Sequence, residues 1–222
     1  MQASRTPTVA WLDSPLGQKV LRAENALAGP ALEDVFGFEL LQVGSWGQGS
    51  PLLRAARTQH TTVVAAWDDP GVTLCAALDV LPFPADSIDA VLLPHTLEWV
   101  EDPYAVLREA GRVLCAEGCL LICGFNPWSV WGVRRGFGRL LRRPAFPPGA
   151  RRLLSERRLR DWVALLGFDV ERVCGYLGRR GYWLKARKRV VSVTPVRPRR
   201  RVRRTVLVAA SEARSQVTDA RR

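Results

Sequence analysis

The chain has 222 residues, 47% of them hydrophobic, which is enough material for one α/β domain with short appendages and too little for two full domains. No apolar run approaches the ~18 residues that cross a bilayer, and Met1 to Trp11 lacks the apolar stretch of a secretory signal, so a cytoplasmic protein with no membrane span is expected. The net charge of +12 is concentrated. From Pro195 onward nine arginines stand against only Glu212 and Asp219, and a second basic stretch runs from Arg134 to Arg160. Such clusters attract nucleic acid, acidic lipid or another anion.

In chain order, Ser14-Pro15 reads as a helix N-cap with proline in the first turn, followed by Leu16, Val20, Leu21, Glu24 and Leu27 at helical spacing. A second short helix is expected at Leu32, Val35 and Phe36. Phe38 to Val43 then reads as a buried strand leading into Gly44-Ser45-Trp46-Gly47-Gln48-Gly49, with Ser50-Pro51 opening a helix through about Thr58. Further strands are expected at Thr61 to Trp67, Leu74 to Ala77, Ile88 to Leu93, Cys119 to Cys123, Phe168 to Val173 and Tyr182 to Ala186. Asp102-Pro103 caps a helix carrying Val106, Leu107, Ala110, Val113 and Leu114, and Ser155 caps another that ends at Gly167. Strands alternating with helices indicate an α/β fold: a doubly wound, mostly parallel seven-stranded sheet in a single domain. The expected organisation is a helical segment over 1–36, the α/β domain over 37–194 and a basic, disordered tail over 195–222.

The five cysteines include no Cys-x-x-Cys pair, and no metal site is expected. Three features bear on ligand chemistry. A glycine loop between a strand and a helix N-terminus lets a ligand approach the backbone and offers unpaired N–H groups. Asp68 and Asp69 follow the second strand, where a carboxylate can accept from ribose hydroxyls. The third is the run Asp79-Val80-Leu81-Pro82-Phe83, then Asp86-Ser87-Ile88-Asp89, His95, Asp102-Pro103 and Arg112-Val113-Leu114.

In order and spacing this last run resembles the central part of class I S-adenosylmethionine-dependent methyltransferases of the type 11 kind, a likeness extending over about residues 35 to 175. The resemblance implies a Rossmann-like methyltransferase fold and a transferase with S-adenosylmethionine as cofactor. It implies that Gly44, Gly47 and Gly49 surround the methionine part of the cofactor, Asp68 faces the ribose, and Asp79 with the Val80 backbone lies near the adenine. It places His95 beside the sulfonium and an unidentified methyl acceptor, as the candidate catalytic residue. Two departures stand out: Gln42 replaces the usual acid two residues before the first glycine, and the loop is one residue longer. They define the alternative, a catalytically inactive binding protein that holds RNA or another anion on its basic surface.

Overall fold

In the computed structural model of the protein, the described residues are 11–47, 50–133 and 147–189. The chain divides into residues 1–190 and 191–222, and the tail expected over 195–222 lies outside the described residues, as do residues 134–146 of the basic stretch that begins at Arg134.

Helix α1 (Pro15–Leu32) starts where Ser14 Oγ accepts from Gly17 N at 3.1 Å. It continues through Pro30, so the second short helix expected at Leu32 to Phe36 is the end of α1 followed by a turn in which Val35 N donates to Leu32 O. Strand β1 (Glu39–Val43) follows. The helix expected from Ser50 is a short 3₁₀ segment over Pro51–Ala55, and Ser50, at φ +46°, makes no capping bond. Then come β2 (His60–Ala65), β3 (Leu74–Cys75), β4 (Ile88–Pro94), the four-residue α2 (Thr96–Trp99), α3 (Pro103–Val113), β5 (Leu114–Phe125), α4 (Glu156–Leu165), β6 (Phe168–Tyr176) and β7 (Gly181–Lys188).

The seven strands form one sheet in the order β3-β2-β1-β4-β5-β7-β6. The first five are parallel, and β7 inserts antiparallel between β5 and β6. The strands read as apolar runs because both faces are covered. Leu41, Val43, Val91, Leu93, Leu120 and Ile122 face the layer of α3 and α4. Leu40, Leu92, Leu121 and Cys123 face α1, which contributes Val20, Leu21, Ala28 and Leu32. The amino-terminal helix is therefore a structural layer of the domain.

Two polar devices fix the connections. Asp89 Oδ2 accepts from Phe38 N (2.6 Å) and Glu39 N (3.0 Å), closing the start of β1 onto β4. Glu109 and Arg112, three residues apart on α3, clamp the loop before β4. Glu109 accepts from Leu81 N at 2.8 Å, while Arg112 donates to Leu81 O, Phe83 O and Glu109 itself. This clamp is the physical content of the spacing between Leu81-Pro82-Phe83 and Glu109-x-x-Arg112, and it carries the adjacent Asp79 loop.

Candidate functional site

The strand order reverses between β1 and β4, since the chain runs outward from β1 through β2 and β3 and then crosses back to β4. Open α/β sheets bind ligands at such a point, beyond the carboxyl ends of the strands. A cleft of about 680 Å³ lies there, lined by residues that follow β1, β2, β3 and β4. Its volume suits a cofactor-sized ligand.

Gly44 closes β1 at the cleft floor with φ +98°. A Cβ on it would stand 2.6 Å from Oγ1 of Thr96, just beyond β4. That hydroxyl is already committed to Val43 O, so it cannot swing away without losing a buried bond. Backbone conformation and space therefore both require glycine here. Beneath the loop, Gln42 is fully buried. Its Nε2 donates to Gly44 O at 2.9 Å, but its Oε1 has no hydrogen-bond partner among the described residues.

The residues expected from the sequence separate into two groups. Gly44 and Asp79 line the cleft together. Gly47, at φ +74°, lines a different cavity with Leu12, Leu21 and Pro51, and a Cβ there would meet Pro51 at 3.0 Å. A bulky residue at Gly47 thus disturbs packing against α1, whereas the resemblance places this glycine around the cofactor's methionine part. Gly49 lies outside the described residues. Asp69, held at the start of a turn by Val72 N donating to its carbonyl, lines the cleft; Asp68 is exposed and does not. Val80 is exposed outside the lining, and its N–H is spent on Ala77 O. Leu78 occupies the wall instead.

His95 is the largest departure from expectation. It is 0% exposed and does not line the cleft. It stands at φ +57° just after β4, and its ring stacks on Trp46 at 4.2 Å. Nδ1 donates to Glu98 Oε2 (2.9 Å) and Nε2 to Glu24 Oε1 (2.7 Å), so the imidazolium satisfies both carboxylates. Glu24, reaching in from α1, also accepts from Tyr176 Oη (2.5 Å) and from Trp46 Nε1 (2.7 Å). Glu98 further accepts from Phe125 N. Trp46 belongs to the cleft wall, so this buried cluster holds the wall from behind. The sequence reading missed Glu24, Glu98 and Tyr176. One signal was present: Glu24 lies on the apolar side of α1, where a carboxylate needs a buried partner.

Burial opposes the charge on His95, but Glu98 and Glu24 outweigh it and raise its pKa to about 9. Burial also raises Glu98, against the pull of His95. Both shifts are upward, so the folded state holds protons that the unfolded chain releases. The part due to His95 is fully present below its unfolded value of 6.5 and is lost as pH rises through about 9. Urea unfolding at a series of pH values should show a fall of roughly 3 kcal/mol between pH 6.5 and 9.5. A flat profile over that interval would contradict an imidazolium in the folded core.

The cleft is acidic. Asp69, Asp79, Glu101 and Asp102 line it against Arg151, the only lining cation among the described residues. Asp102 is occupied as the cap of α3, accepting from Tyr104 N and Ala105 N. Glu101 and Arg151 are exposed and 3.9 Å apart, a weak pairing. The field suits a cationic ligand.

A doubly wound sheet with a glycine-floored, acidic cleft at its switch point is the architecture that nucleotide- and nucleoside-cofactor folds share. Residues 47–122 match the family model described as a methyltransferase domain. The uncharacterized protein YafS of Escherichia coli is 35% identical over 77% of this chain and 71% of its own length. The uncharacterized protein Mb2026c of Mycobacterium bovis is 32% identical over 72% of this chain, which spans 57% of that relative. Among solved structures, a SAM-dependent methyltransferase from Aquifex aeolicus superposes with a TM-score of 0.57 at 17% identity, over 83% of this chain and 99% of its own, a likeness of fold. The chain belongs to the class I S-adenosylmethionine-dependent methyltransferase family of the type 11 kind.

Proposed function

We propose that the protein is an active methyltransferase that binds S-adenosylmethionine in the cleft between β1 and β4 and transfers its methyl group to an acceptor still to be identified. The observation that carries this reading is Gly44 above Gln42: a cradle that a Cβ would fill, over a buried acceptor oxygen without a partner among the described residues. An unsatisfied buried acceptor is costly. A ligand ammonium over the Gly44 loop relieves it, and Gln42 fills the position of the usual acid with a hydrogen bond in place of a charge. Asp69 receives the ribose hydroxyls and Asp79 with Leu78 the adenine side, which moves the ribose role one residue along from Asp68.

Bound there, S-adenosylmethionine supplies a methyl group activated by its sulfonium. Transfer by direct displacement depends on holding the two reactants in line, and the chain's contribution is to position them and keep water out. Trp46 and Trp99 form part of the wall, with Trp46 buried behind it against His95. His95, with both nitrogens engaged by carboxylates, holds Trp46 in place and takes no proton from an acceptor. The inactive alternative gains no support from the cleft, which is open and lined as a ligand site.

Isothermal titration with S-adenosylhomocysteine and, separately, NAD tests the cofactor assignment. Binding of the first alone is expected, and binding of NAD alone would overturn it. Asp69→Ala and Asp79→Ala should each weaken S-adenosylhomocysteine roughly tenfold or more, the usual loss for a charged hydrogen-bond partner of ~1.5–3 kcal/mol. Asp68→Ala should leave affinity unchanged. The reverse ranking of Asp68 and Asp69 would return the ribose role to Asp68.

A further inference from the structure

On the same side of the sheet as the cleft, beyond the carboxyl end of β5, lies a surface that cofactor binding does not use. After Phe125 the chain turns through Asn126-Pro127. Asn126 N donates to Arg180 O at 2.9 Å and Asn126 Nδ2 to Arg179 O at 3.1 Å, which joins this segment to the turn between β6 and β7. Residues 130–133 are helical, and Val133 N donates to Ser129 O. Trp131 folds inward against Phe125, ring centroids 5.8 Å apart, with the Arg180 guanidinium over it. Its neighbours do the opposite: Trp128 is 82% exposed, Val130 59% and Val133 48%. Three large apolar side chains in six residues thus face outward beside a tightly built turn, and such a patch marks an interaction surface.

The two segments that build the patch carry charge of one sign. Across 126–133 and 177–181 the only ionisable side chains are Arg179 and Arg180. In sequence the chain continues with Arg134 and Arg135, which lie outside the described residues. We propose that this face rests on an anionic lipid bilayer, with Trp128, Val130 and Val133 at the boundary of headgroups and acyl chains and Arg179 and Arg180 against lipid phosphates. The pairing of apolar insertion with cations is what interfacial segments use. Nucleic acid would engage the arginines and Trp128, but it supplies nothing to bury Val130 and Val133. No helix among the described residues is long and apolar enough to cross a membrane, so the contact is peripheral. The proposal does not depend on the methyl-transfer reading.

The test is co-sedimentation of the full-length protein with phosphatidylcholine vesicles with and without phosphatidylglycerol, in low and high salt. Binding to the anionic vesicles is expected, with part of it surviving high salt. Trp128→Ser/Val130→Ser/Val133→Ser should lower the partition coefficient at least tenfold and remove the salt-resistant part, while the melting temperature and the thermal shift with S-adenosylhomocysteine stay at wild-type values. Arg179→Gln should weaken binding only in low salt. If the triple variant does not fold, Trp128→Ser alone is read, with a loss of at least threefold expected. Vesicle binding unchanged in these apolar variants would overturn the proposal. So would wild-type protein that ignores vesicles but binds a single-stranded RNA through the same residues.

Discussion

His95→Ala is expected to destabilise the folded protein by about 3–5 kcal/mol, the usual loss when one member of a buried ion pair is removed. For a domain of this size that corresponds to a melting temperature lower by roughly 10 °C. The substitution leaves Glu24 and Glu98 buried, facing each other without the cation between them, and withdraws the ring on which Trp46 stacks. Removing the carboxyl charges together with the histidine, as in Glu24→Gln/His95→Leu/Glu98→Gln, should recover part of the loss, because the cost lies in the unpaired charges. Chemical unfolding of the two variants beside wild type checks both statements. A loss below about 1 kcal/mol for His95→Ala would show that the cluster does not hold the core.

Gly44→Val is expected to abolish measurable binding of S-adenosylhomocysteine, a weakening of at least a hundredfold. The residue must adopt φ +98°, which a β-branched side chain strongly resists, and its first carbon meets the Thr96 hydroxyl at 2.6 Å. Gly167→Ala is the control for conformation alone. Gly167 has φ +85° with nothing within 4 Å of the added carbon, and it lies away from the cleft lining. That variant should lose ~1–2 kcal/mol of stability and keep its affinity. Titration calorimetry on both separates strain from occlusion. Retained affinity in a folded Gly44→Val protein would remove the cradle from the binding site.

The sheet was legible because strands covered on both faces must be largely apolar, and β1, β4 and the Cys119–Phe125 part of β5 are short runs of that kind. The helix starts at Ser14, Asp102 and Ser155 were legible for a local reason: each cap bond joins residues no more than three apart. Long-range partners were not. The bond from Tyr176 to Glu24 spans 152 residues, and the stack of Trp46 on His95 joins two loops at the ends of different strands. Periodicity says that Glu24 faces inward without saying what it meets. A motif position also carries no information about which of two adjacent aspartates a turn aims into the cleft. The structure decides that through the turn from Asp69 to Val72, and it decides the fate of Gly47 through the packing of α1.

The place of β7 between β5 and β6 imposes an order on assembly. Cys119 to Cys123 pairs with β4 on one side, and Cys119 to Phe125 with β7 on the other. During synthesis the chain up to residue 175 can lay down β1 to β5 and the helices that cover them, yet one border of β5 still carries unpaired N–H and C=O groups along an almost wholly apolar strand. Such a border recruits other chains until something covers it. Glu24 is likewise left without its tyrosine until residue 176 has emerged. The last hairpin therefore does two jobs in one event, sealing the open border and completing the polar cluster behind Trp46, so that cleft geometry and protection from aggregation arrive together.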